Sequence, residues 1–171
     1  IKRCTWCRST EHNKRKCPNR IQWLEGKNRD NEAYRYAIQS RAKALKIGIG
    51  SLLSESRYFW ITDENGERNY TQQEIFGLIE KIDWDEINCD NQSTTAVITV
   101  NWVNCPTDDC YPERGRGRRE KKILLNSLVH PDRQYNTWGR DTKVIGYSDN
   151  PTAGMPENWV YKKGSKFEEP K

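Results

Sequence analysis

Three cysteines and a histidine fall within fourteen residues near the start of the chain, in the stretch CTWCRSTEHNKRKC from Cys4 to Cys17. Two residues separate Cys4 from Cys7, four separate Cys7 from His12, and four separate His12 from Cys17. A metal site, a chance grouping of thiols and a disulfide loop are the three readings of such a cluster. The spacing favours metal. Zinc takes four N/S ligands in a tetrahedron, and three thiolates with one imidazole are a common structural set. Cys4 and Cys7 supply two thiolates from one tight turn, and His12 and Cys17 return after short loops. A stretch this small cannot bury a core, so bound metal has to provide most of its folding free energy.

The stretch closely resembles the CCHC zinc knuckle of retroviral nucleocapsid proteins, some transposases and RNA-processing factors. The resemblance implies that Cys4, Cys7, His12 and Cys17 are the ligands of one Zn2+. The match covers roughly a tenth of the chain. It departs from the family at two places. Glu11 stands where members usually carry glycine, and Thr5 follows the first cysteine where retroviral members tend to place an aromatic, with Trp6 one residue later.

Charge is concentrated around this cluster. Between Ile1 and Arg20, Lys2, Arg3, Arg8, Lys14, Arg15, Lys16 and Arg20 stand against Glu11 alone, a net of +6, while the whole chain carries +5. A run of charge is by default a solvated surface. Joined to a knuckle, it points to a polyanion, because Lys and Arg gain nucleic-acid affinity by neutralising phosphates. Trp6 is the aromatic placed to stack on a base. The six cysteines would also suit a disulfide-stapled secreted chain. Three of them at knuckle spacing beside a histidine favour thiols kept reduced, in the cytoplasm, the nucleus or a virion, and argue against secretion. There is no apolar run near the length of a membrane span and no signal-peptide core.

With 171 residues, 34% hydrophobic and 31% charged, the chain has room for one modest core, to which seven tryptophans and eight tyrosines contribute large area. The expected fold is α+β: a zinc knuckle at 1–20, a linker and amphipathic helix at 21–47, a mostly antiparallel SH3-like β-barrel at 48–149, and an extended tail at 150–171. Segment PNRIQWLEG reads as a helical turn or linker ending at Gly26. The helix is expected in DNEAYRYAIQSRAKALKIG, capped by Asp30 or Asn31 and leaving at Gly48, with Tyr34, Ala37, Ile38, Ala42 and Leu45 on one face. Arg35, Lys43 and Lys46 lie off that face, while Arg41 falls on it.

Strand patterns follow from Gly48. Asn65-Gly66 marks a hairpin turn, and TTAVITVNWV alternates cleanly. YTQQEIFGLIEKIDW carries a Thr71/Glu74 capping box, but a strand from Phe76 to Trp84, after one helical turn, is favoured. KKILLNSLV and TKVIGY are further strands. The order resembles an SH3-like or KOW-like barrel, in pattern rather than by a specific motif.

Three further groups lie outside the N-terminal cluster. Arg114, Arg116, Arg118 and Arg119, with Lys121 and Lys122, form a basic loop within 104–122 that is either a solvated loop or a second phosphate contact. Cys89, Cys105, Cys110 and His130 lack compact spacing and read as ordinary residues rather than a second metal site. Trp60, Trp84, Trp102 and Trp138 read as core. No nucleophile–base grouping and no phosphate-cradling loop is legible, so the chain is not expected to be an enzyme. The expected function is zinc-dependent binding of single-stranded RNA or DNA, with the barrel docking the module through protein partners to a larger assembly. The alternative is a structural or adaptor protein of a viral or phage particle or multiprotein complex, with the knuckle making protein contacts.

Overall fold

A computed structural model of the chain describes residues 3–90, 98–105, 119–123, 142–163 and 167, with 119–123 described by backbone alone. Lys2, Cys110, Arg114, Arg116, Arg118, His130 and Trp138 lie outside the described residues.

One helix dominates the first third of the chain. Helix α1 runs unbroken from Pro18 to Leu45, so the expected linker before residue 30 is helical and neither Asp30 nor Asn31 caps it. Its N-cap is Cys17 and proline occupies the first helical position, where a missing N–H costs nothing. At 28 residues it is about 42 Å long. It ends in a Schellman motif two residues before the expected Gly48. Lys46 is left-handed (φ 53°), its N–H donates to Lys43 O, and the Ile47 N–H donates to Ala42 O at 2.9 Å. That turn exposes Leu45, expected in the apolar face, and sends Ile47 into the core instead.

Burial along α1 begins only at Asn31 and continues at Arg35, Ile38 and Ala42. Arg35 was expected off the buried face. Its guanidinium is buried and donates to three carbonyls: Ile87 O at 2.9 Å, Trp159 O at 2.8 Å and Lys162 O at 3.2 Å. It also lies over the Trp159 ring, 5.1 Å from the centroid. Burial lowers its pKa from the usual arginine value.

Five strands form one antiparallel sheet in the order β4-β3-β2-β1-β5, where β1 is Leu52–Thr62, β2 Arg68–Ile82, β3 Ile98–Trp102, β4 Arg119–Ile123 and β5 Thr142–Gly146. Among the described residues the sheet is open, with β4 and β5 at its ends. The Asn65-Gly66 turn is present, with Gly66 at φ +85° and its N–H donating to Asp63 O at 3.0 Å. Strand β2 starts well before Phe76, so the Thr71/Glu74 capping box is strand: Thr71 pairs with Phe59, and Ser54 donates its hydroxyl to Glu74. Trp84 follows β2 in a 3₁₀ turn, Trp84–Glu86, rather than ending the strand.

The inner face of the sheet carries Leu53, Phe59, Ile75, Ile79, Ile98, Val100 and Trp102, which join Ile38, Ala42 and Ile47 in one core. Glu55 and Arg57 are buried on the same strand and pair with each other; Thr142 Oγ1 donates to Glu55 at 3.1 Å, and Arg57 lies 5.0 Å from the Trp102 ring centre. Trp84 and Trp102 are core, as expected. Trp60 is not: it points to the opposite face and is 56% exposed.

The segment beyond Asn150 is not simply an extended tail. It forms a 3₁₀ turn, Trp159–Tyr161, and seats Trp159 and Val160 in the core. The Trp159 ring meets Trp84 edge-on at 5.1 Å, and its Nε1 donates to Trp84 O at 2.7 Å.

Gly77 is set by packing across strands. A Cβ there would lie 2.5 Å from both Trp102 Cε3 and Val100 Cγ1. Gly77→Ala is therefore expected to lower stability by about 1–3 kcal/mol, read from urea denaturation midpoints at unchanged slope. A midpoint within error of wild type would mean that Trp102 does not lie over Gly77.

Candidate metal centre

The N-terminal stretch folds around its four expected ligands. The Cys4 N–H donates to Ser9 O at 2.7 Å and the Arg8 N–H donates to Cys4 O at 2.9 Å, closing the first turn, with Arg8 left-handed at φ 68°. Asn13 then caps the 3₁₀ turn Lys14–Lys16 by accepting the Lys16 N–H at 3.1 Å, and the chain reaches Cys17. The ligand atoms of Cys4, Cys7, His12 and Cys17 all lie within 4.8 Å of one another. Sulfurs around a tetrahedral zinc-type ion stand about 3.8 Å apart, so the four groups are placed to hold one metal ion.

Cys4 and Cys17 are buried, Cys7 and His12 half-buried. His12 presents Nε2 to the Cys7 sulfur at 3.1 Å, so Nε2 is the ring nitrogen facing the cluster. Burial raises the Cys4 thiol, but the backbone N–H groups of Cys7 and Trp6 and the Cys7 and Cys17 thiols together outweigh it, lowering its pKa to about 7. The Ser9 backbone lowers Cys7, yet burial and the neighbouring Cys17 and Cys4 raise it further, so its pKa is up overall. Crowded thiols cannot all ionise together without a cation among them, and a divalent ion is the natural one.

Cys17 is also the N-cap of α1, with no side-chain cap bond to the helix. Its sulfur is therefore left to the cluster.

The basic residues surround the site unevenly. Arg3, Arg8, Arg15 and Lys16 are exposed, and Lys14 and Arg20 are half-buried. Arg119 begins edge strand β4, away from the knuckle in sequence and described by backbone alone. Trp6, expected to stack on a base, is half-buried against Trp23 of α1, with ring centroids 5.4 Å apart. Such a contact is worth about 0.5–1.5 kcal/mol. Lys27 Nζ lies 5.9 Å from the Trp23 ring centre and pairs with Asp90 at 2.5 Å. Trp23 does not stand out in the sequence because residues 18–26 read as a helical turn or linker rather than as part of a long helix. The available signal was Cys17-Pro18, a helix start with proline at its first position.

A second metal site finds no grouping among the described residues: Cys4, Cys7, His12 and Cys17 are the one Cys/His/Asp/Glu cluster there. The Cys89 N–H is held by Asn31 at 3.1 Å and its thiol is raised by burial. Cys105 packs partly buried against the core.

No protein-family model matches the chain, and neither does any curated protein or solved structure. The metal centre therefore rests on the ligands' own spacing and geometry.

Cobalt(II) titration provides the test. The wild type is expected to take up one equivalent with the absorption bands of a tetrahedral sulfur-rich site. Cys17→Ser should abolish those bands and Cys89→Ser should leave them unchanged. Retained bands in Cys17→Ser, or bands lost in Cys89→Ser, would contradict the assignment.

Proposed function

We propose that the chain is a zinc-dependent binder of single-stranded nucleic acid, not an enzyme, and that it works in a reducing compartment. Carrying this reading is the coincidence of four convergent Cys/His ligands with a segment of net charge +6. Three thiolates and one Zn2+ together remove one positive charge, which leaves the knuckle strongly basic. Arg3, Arg8, Arg15 and Lys16 contact phosphates, supported by Lys2, Lys14 and Arg20. The exposed part of Trp6 stacks on a base, a contact worth about 1–3 kcal/mol. Trp23 backs Trp6 from the helix and fixes the angle at which its ring is offered. Arg20, Trp23 and Lys27 recur three and four residues apart, so the stripe they form on α1 extends the path a strand can follow.

The β-sheet, in this reading, docks the knuckle onto a larger assembly. An SH3-like closure is compatible with β5 returning to pair with β1, the connection that joins the ends of a meander. The Arg-Gly segment at 114–119 is an auxiliary phosphate contact. A second reading, an adaptor whose knuckle contacts protein, draws on the same Trp6–Trp23 contact, which occupies part of the stacking surface.

Fluorescence anisotropy of labelled single-stranded RNA and DNA separates the two. Binding should fall with salt and disappear on chelation. Replacing Arg3, Arg15 and Lys16 with alanine removes three phosphate contacts and should reduce the log–log salt slope by about 2. Absence of binding at low salt with zinc present would overturn the nucleic-acid reading and leave the adaptor.

A further inference from the structure

Beyond the five-stranded region, β1 and β2 continue as a two-stranded arm. The pairs from Ser56↔Glu74 to Thr62↔Arg68 have no flanking strand among the described residues, because β5 pairs only as far as Glu55 and β3 only from Gly77. Directly paired residues share a face, and alternation along each strand divides the arm into two faces. One carries Arg57 and Phe59, both buried, and Ile61, packed against the core. The other carries Tyr58, Trp60 and Tyr70, exposed by 55%, 56% and 58%. Tyr70 joins the three rings: it stacks on Tyr58 at 5.0 Å and 21°, and Trp60 leans on it at 4.9 Å and 37°. A contiguous exposed ring surface with a polar rim marks a binding face.

Charge is sorted between the same two faces. The Asp63 N–H donates to Glu67 O at 2.9 Å, which extends the register by one pair. Asp63 Oδ2 accepts from Asn69, the partner of Ile61, at 3.4 Å, so Asp63 and Glu67 belong to the face opposite the rings. Glu64 lies in the turn beyond that last pair. The ring face holds Arg68, exposed and two residues from Tyr70. Its carboxylate is Glu74, which accepts the Ser54 hydroxyl and has Lys143, the β5 partner of Ser54, beside it. Gln72 and Ser56 complete the rim as neutral groups, bonded to each other at 2.7 Å. Rings with a guanidinium beside them and a carboxylate balanced by a lysine suit a single strand of nucleic acid. Every base has a π-face that stacks on such rings, and the guanidinium neutralises a linking phosphate. A cationic partner would meet Arg68 as a like charge.

We propose that Tyr58, Trp60 and Tyr70, with Arg68 beside them, form a second contact for single-stranded nucleic acid, in which bases stack on the rings and Arg68 meets a phosphate. The inference rests on the reading that the chain binds single strands, and it adds a site that shares no residue with the metal centre. The arm reinforces the knuckle and does not replace it. Arg68 is one phosphate contact against the several at the knuckle, so zinc removal still abolishes binding.

The test uses the full zinc-loaded chain and an oligouridine of about 30 nucleotides, about 100 Å long when stacked and more than twice the length of α1. Trp60→Ala should weaken binding by about fivefold or more, as expected for the loss of one stacked base, and Trp60→Phe should keep most of the affinity. Arg68→Ala should lower the log–log salt slope by about 0.7, the value for one phosphate on a single strand. Both side chains are exposed, so unchanged melting temperatures should accompany these losses. Photocrosslinking of the same strand carrying 5-iodouridine should label β1 or β2 at Tyr58, Trp60 or Tyr70 as well as Trp6. Crosslinks at Trp6 alone, with the affinity of Trp60→Ala unchanged, would overturn the proposal, keep the knuckle reading and leave the ring face to a protein partner. Crosslinks on the arm alone would support the proposal and overturn the knuckle's role. No binding at low salt would overturn both.

Discussion

Cys17 performs two tasks that cannot be separated. It is the fourth side chain of the metal cluster and the N-cap from which α1 begins. An N-cap usually offers its side chain to the helix; here the sulfur is given to the cluster and the capping bond is missing. The first turns of α1 therefore depend on the knuckle for their start. No residue of α1 before Asn31 is buried, so that stretch draws little stability from the sheet. Isolated helical segments of about 12–15 residues are marginal in water. What steadies this one is the fixed geometry at Cys17, Pro18 at the first position, and the Trp6–Trp23 contact that lays the knuckle against the helix.

The other end of α1 is fixed by Arg35. Its guanidinium joins three carbonyls from the turn after β2 and from the C-terminal 3₁₀ segment. Charge-assisted hydrogen bonds of this kind contribute about 1.5–3 kcal/mol each, and a missing donor would leave buried carbonyls unpaired. Trp84 and Trp159 pack beside it and bond to neighbouring backbone, so a segment far away in sequence completes the core. The consequence is a knuckle carried on a helix whose far half is rigidly seated. Orientation of the basic surface then follows from the helix axis rather than from a loose linker.

The legible parts of the sequence were those with local rules. Ligand spacing is set by the reach of a short chain around one ion, so Cys4, Cys7, His12 and Cys17 could be named from sequence, and the structure brings them together. Alternation identified β3, and Asn65-Gly66 identified the hairpin turn. Less legible were features decided by distant partners. Arg35 is a charge with helix-surface spacing, and only carbonyls more than fifty residues away explain its burial. Trp60 sits in an apolar run, yet strand alternation places it opposite Phe59 and out toward solvent. Trp159 lies among prolines, glycine and asparagine with no periodic pattern, so nothing local announces its place in the core. Lys46 ends the helix in a conformation that glycine more often adopts, which displaced the expected exit to Gly48.

A metal ion held by Cys4, Cys7, His12 and Cys17 would organise the helix start as well as the N-terminal turn. Hydrogen exchange with bound zinc and after chelation tests it most directly. Chelation is expected to release amides from residue 4 through about residue 26, while amides of β1, β2 and β3 keep their protection. Unchanged exchange in residues 18–26 after the metal is removed would contradict it.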